Sequence, residues 1–148
     1  MKNNYYDIAI NDLRYLEIGI HSEFYNNLSV SAQQVAEKML KSVLNELVSS
    51  LEPDVKNLLQ SHNLRTIYDK IHSIDKSYIL DRNALSTLKD YYFDAKYPGE
   101  NFITVTKQEC YENLSIMYSV VEATNAFRKK NGLTIYEVQN PITTMQLF

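Results

Sequence analysis

The sequence predicts an all-α protein, an antiparallel bundle of about five helices with a short C-terminal extension. Three observations carry that prediction. Apolar residues recur at spacings of three and four through five separate segments. Strand-like alternation is nearly absent, with "TIYEV" (134–138) the one short piece that could run extended. The 148 residues also include only 3 Gly and 3 Pro, so few positions break a helix.

Taken in order, Ala9, Leu13, Leu16, Ile20 and Phe24 lie on one face of a helix from about Tyr5 to Tyr25, and Asn26–Asn27 supply a turn. Ala32, Val35, Ala36, Met39, Leu40, Val43, Leu44 and Leu47 form a wide stripe on the second helix. Ser31 and Gln34 have capping-box spacing and place its start there or at Ser29. Pro53 ends this pattern and opens a short helix through Leu59. Leu64, Ile67, Tyr68 and Ile71 mark the third main helix. Asp81 caps a fourth with Leu85, Leu88, Tyr92 and Ala95, which Pro98-Gly99 stops. The fifth opens on a Thr106–Glu109 capping box and carries Cys110, Leu114, Met117, Val121 and Thr124. It ends at Lys129, Lys130 and Gly132. This divides the chain into a bundle over residues 1–130 and a tail over 131–148. The tail is expected to dock on the bundle or on a partner, with Met145, Leu147 and Phe148 as its apolar residues.

A chain of this length buries a core without disulfide or metal, and its 45% hydrophobic and 22% charged residues suit a globular domain. The single cysteine, Cys110, reads as a small core residue, and an intracellular, cytoplasmic protein is expected. The opening "MKNNYYDIAI" lacks the apolar run of a secretory peptide, and no stretch approaches the roughly 20 apolar residues of a membrane span. A net charge of −3 argues against general nucleic-acid binding but permits a local basic groove. There is no Walker loop, dinucleotide fingerprint, paired-cysteine zinc site, His-Glu-x-x-His or nucleophile elbow. The histidines His21, His62 and His72 fall on different helices or their ends, so no metal and no cofactor are expected.

What remains is a set of polar side chains that admit two readings each. Lys38 and Lys41, three apart on the second helix, can meet one phosphate chain. Glu37 and Lys41, four apart, equally well make an exposed intrahelical pair, and Glu37 and Lys38 equally well form buried-edge hydrogen bonds that tie helices together. His62 beside a helix start can cap backbone or line a pocket, and Arg65 one turn later can support an anion or stand in solvent. Lys96 and Tyr97, which follow Tyr91 and Tyr92, can hold a phosphate and stack a base, or belong to core and interface. Arg14 and His21 lie seven apart, on nearly one face of the first helix. They read chiefly, with Glu17, as a solvated surface.

The stretch "SAQQVAEKMLKSVL" (31–44) resembles the second helix of HEPN domains, the higher eukaryote and prokaryote nucleotide-binding helical family, through Gln34, Ala36, Glu37, Lys38, Leu40 and Lys41. "NDLRYL" (11–16) looks like the family's Asp-Leu in the first helix, "HNLRTIY" (62–68) like the segment opening the third, and "KYPGE" (96–100) like the segment after the fourth. The resemblance covers roughly residues 7–128. It implies a bundle that usually dimerises, here through the later helices. It also implies one of several functions: binding a nucleotide such as ATP or GTP, pairing with a nucleotidyltransferase in a toxin–antitoxin system, or cleaving RNA. The family's RNases carry Arg, four to six residues, then His, late in the bundle. Here Lys96 stands where the Arg is usual, and neither Asn101 nor Phe102 can act as acid or base. The literal match, Arg14 to His21, is on the wrong helix, so they are weak catalytic candidates. The expectation is therefore a non-catalytic HEPN protein, with Lys38, Lys41, His62, Lys96 and Tyr97 as nucleotide-binding candidates. The alternatives are an RNase toxin with a displaced site, or a purely structural interaction module.

Overall fold

The computed structural model describes residues 4–48, 52–94 and 104–144. These residues form six α-helices and a closing 3-10 turn, with no strand among them. The helices are α1 (Tyr5–Ile18), α2 (Tyr25–Leu47), α3 (Pro53–Leu59), α4 (Leu64–Ile74), α5 (Arg82–Asp94) and α6 (Lys107–Lys130), and the 3-10 turn is Pro141–Thr144. The all-α bundle is as predicted, the short Pro53 helix making the sixth.

Side-chain caps explain most of the boundaries. Asn4 accepts a hydrogen bond from the Asp7 amide at 2.8 Å to open α1, and Asn63 accepts from Thr66 N at 3.2 Å to open α4. Asp81 accepts from the amides of Asn83 and Ala84 ahead of α5. Both halves of the Thr106–Glu109 capping box are present at the start of α6. At its other end Gly132 takes φ 70°. The Leu133 amide then reaches Arg128 O at 2.8 Å and Gly132 N reaches Lys129 O at 3.2 Å, so the orphan carbonyls are satisfied.

The first connection departs from the prediction. Helix α1 stops at Ile18 rather than running to Tyr25, residues 19–24 form a turn, and α2 begins at Tyr25, before the expected Ser29 or Ser31. Asn26 and Asn27, read as turn residues, lie in the first turn of α2. Asn26 Oδ1 instead accepts a hydrogen bond from Val105 N at 2.8 Å, tying this helix to the entry of α6. The long-range bond overrides the local turn preference. "TIYEV" is not a strand either. It runs irregularly over the bundle, where the Tyr136 amide donates to the Tyr6 hydroxyl at 2.8 Å and Ile142 is buried. Met145, Leu147 and Phe148 lie outside the described residues.

Helix α2 is the axis of the bundle. It packs against α1, α4, α5 and α6, and its buried residues occur almost all round. Leu13, Met39, Leu40, Leu44, Leu64, Ile67, Leu85, Leu88, Leu114 and Met117 are fully buried around it. Cys110 is buried in the same core, and burial pushes its thiol up to about 11. The expected result is that Cys110 ignores a thiol reagent at pH 8 until the chain is unfolded, measured by absorbance with and without denaturant.

Exposed ion pairs clasp the shorter helices. Arg82 pairs with Asp69 at 2.6 Å, joining α5 to α4, and Lys70 pairs with Asp54 at 3.0 Å, joining α4 to α3. These partners hold both carboxyls below their ordinary value of 3.8. Their contribution is complete above that value and is lost as the pH falls below it through the depressed folded-state values. The denaturation midpoint should therefore be insensitive to these pairs from pH 7 to 5 and drop below about pH 4, less steeply in Arg82→Gln. An unchanged acid limb in that variant would count against the assignment.

Candidate functional site

The polar stripe of α2 is divided between two neighbours. Lys41 donates to Glu37 Oε2 at 3.0 Å, and the two side chains are only 7% and 10% exposed. Glu37 Oε1 accepts from His62 Nδ1 at 2.9 Å and from Gln33 Nε2 at 3.0 Å. One carboxylate thus gathers a cation, an imidazole and an amide where α2 meets the start of α4. The Gln33 amide turns its NH2 to the carboxylate because its oxygen would repel it. That leaves Gln33 Oε1 as a buried acceptor without a donor among the described residues. Lys38 turns the other way, to the carboxylate of Asp12 on α1.

The Glu37–Lys41 pair is thus not the exposed intrahelical pair its spacing predicts, and Lys38 and Lys41 do not share a groove. The structure brings Lys41 and His62 together on Glu37 and sends Lys38 to a different helix. His62 is half-exposed, its Nδ1–H fixed on the buried carboxylate and the rest of the ring at the surface. Arg65 reaches Ser86 Oγ at 3.4 Å. Lys96 and Tyr97 lie outside the described residues.

Arg14 and His21 do not share a helix face, because α1 ends between them. Arg14 lies 5.6 Å from the centre of the Tyr136 ring, and His21 is exposed in the turn. Glu17, read as solvated, accepts a hydrogen bond from the Tyr118 hydroxyl at 2.8 Å. Burial and the adjacent Glu17 carboxylate raise the Tyr118 phenol far above its ordinary range, so it stays a donor.

A feature missed by sequence reasoning lies at the corner between α1 and α2. Tyr15, Ile18 and Phe24 are 78%, 86% and 72% exposed. They stand around a groove of about 280 Å³ that includes Leu16, Gly19 and Leu28. Ile18, opposite the apolar stripe of α1, could have been suspected from the sequence, whereas Phe24 could be only if the end of α1 had been placed correctly. Among the described residues no group of His, Cys, Asp and Glu could hold a metal, and no helix is long and apolar enough to cross a membrane.

The polar contacts also explain the sequence signature. Asp12 of "NDL" grips Lys38 of "AEK", Glu37 of the same stretch grips His62 of "HNL", and Leu13, Leu40 and Leu64 fill the core beside them. The signature residues are ties between helices α1, α2 and α4. Comparison with curated proteins and with solved structures returns no match. The family model of the HEPN domain matches residues 3–127, most of the chain, and the protein therefore belongs to the HEPN family.

Proposed function

We propose that this HEPN domain acts by binding a protein rather than by cleaving RNA, as one half of a two-chain system of the toxin–antitoxin kind. Its partner is a nucleotidyltransferase-type chain. The observation that carries this reading is the Tyr15–Ile18–Phe24 patch, because large contiguous apolar residues on a water-facing corner mark protein contact surfaces. The charge pattern of α2 supports it. Lys38 and Lys41 already face the carboxylates of Asp12 and Glu37, so a phosphate at either would have to displace an internal partner. Two copies of the chain also associate in this proposal, through the later helices, so light scattering should give twice 17.2 kDa. The test of the partner is purification from native cells followed by mass spectrometry. A nucleotidyltransferase chain should accompany the wild type and be lost from the Ile18→Lys/Phe24→Asp variant. Its equal recovery with both would refute the corner as the docking face.

A second reading rests on His62, whose ring is held by Glu37 and half presented to solvent, where an anion could meet it. It requires ATP or GTP to raise the melting temperature. Saturation at a hundred times the dissociation constant adds roughly 2.7 kcal/mol, or several degrees for a domain of this size. The proposal expects no shift, and a shift abolished in His62→Ala would favour the nucleotide reading instead.

A further inference from the structure

Helix α5 packs mainly on α2 and α4 and only lightly on α6, so a furrow opens between α5 and α6. Its volume is about 830 Å³, and it shares no lining residue with the α1–α2 corner. Leu85, Ile116, Val120 and Ala123 make the apolar floor, while Asp81 and Glu122 stand on opposite walls. Neither carboxylate has an ion-pair partner among the described residues, and both residues are exposed. Ile79, 69% exposed, projects at the rim. A second hollow of about 380 Å³ shares Ile79 and Ala123 with the furrow and continues it along α6 towards Lys130.

We propose that this furrow is a docking site for an amphipathic helix of another protein, apolar on its seated face and carrying lysine or arginine along both flanks. The shape argues for a helix. A helical turn with its side chains fills roughly 400–600 Å³, so the furrow takes between one and two turns. The small side chains Ser115, Ser119 and Ala123, each four residues apart on α6, let a helix backbone come close. The charges argue for its flanks, since Asp81 and Glu122 would face a basic residue from either side, on a chain of net charge −3. A two-fold contact through this furrow would put the acidic walls of both copies into one interface, so the pairing of two copies proposed above is assigned to other faces of the later helices. Nucleic acid has the same sign as the walls.

The test uses two fluorescent 14-residue peptides with leucines at helical spacing, one with lysine flanks and one with glutamate flanks, titrated by anisotropy against the full-length chain. The expected result is saturable binding of the lysine peptide, at least tenfold weaker binding of the glutamate peptide, and loss of the preference at 0.5 M salt. Glu122→Lys lies on an exposed site and leaves the two walls with opposite charges, so it should abolish the preference without changing the melting temperature. Ala123→Arg, which fills the furrow, should weaken both peptides at least tenfold. Equal binding of the two peptides, or a preference untouched by Glu122→Lys, would overturn the proposal. So would a dimer of the wild type that Ala123→Arg converts to monomer, because the occupant would then be a second copy.

Discussion

Replacing Glu37 by alanine is expected to cost about 3–5 kcal/mol, the largest loss from any single polar substitution in this chain. The reason lies in what the change leaves behind. Lys41 keeps a buried ammonium, His62 loses the acceptor that holds its ring, and Gln33 loses the acceptor for its amide, all on the central helix. At about 2–4 °C per kcal/mol for a domain of this size, the melting temperature should fall by on the order of 10 °C. Glu37→Gln, which keeps the hydrogen bonds and loses the charge, should fall between wild type and alanine. The Glu37→Leu/Lys41→Met pair should recover much of the loss, because an apolar pair carries no buried charge. His62→Ala should cost less than Glu37→Ala, since the imidazole is half-exposed and its loss strands no buried cation. A double-mutant cycle that gave no coupling between positions 37 and 41 would contradict this account. So would a loss below about 1 kcal/mol for Glu37→Ala, which would mean that Lys41 swings out to water.

The pair illustrates what was legible in the sequence and what was not. Helical spacing correctly put Leu13, Leu40, Leu64 and Leu114 inside, because each helix has one face that must be covered whatever covers it. The same spacing showed Glu37 and Lys41 side by side but not that they were buried, since that depends on α4 lying against this turn of α2. Periodicity also misread the end of α1. Ile20 is buried, as a continued helix would require, but a turn brings it there, and Phe24 points to solvent. A pattern of spacings cannot distinguish a further turn of helix from a turn of chain that returns an apolar residue to the core. Asn26 failed for a related reason, because its partner is the backbone of Val105, 79 residues away. The HEPN signature was legible as a resemblance, and Glu37 and Lys38 read as residues able to tie helices together as well as to meet a ligand. What the sequence could not name were the partners, Asp12 for Lys38 and His62 for Glu37. Lys96 and Tyr97 fall outside the described residues, so the part of the site placed on them stays as the sequence left it.

The second large expected effect separates the docking corner from the core. Leu40→Ala, fully buried on α2, should lose about 2–5 kcal/mol through transfer and cavity terms. Ile18→Lys and Phe24→Asp remove apolar side chains of similar or greater size and should cost almost nothing. Ile18 is the last residue of α1, where a lysine complements the helix dipole. Phe24 is the N-cap of α2 and makes no side-chain cap bond, so an aspartate there can accept from the first-turn amides. Each change is therefore neutral or stabilising by up to about 1 kcal/mol, to be read from urea midpoints beside Leu40→Ala. If the native residues are the less stable choice at both positions, stability does not explain a phenylalanine and an isoleucine held in water. Binding does, and the double variant should keep its fold while it loses its partner. A drop of more than 1 kcal/mol in either single variant would mean that these side chains support the α1–α2 turn, and the corner would then be part of the scaffold.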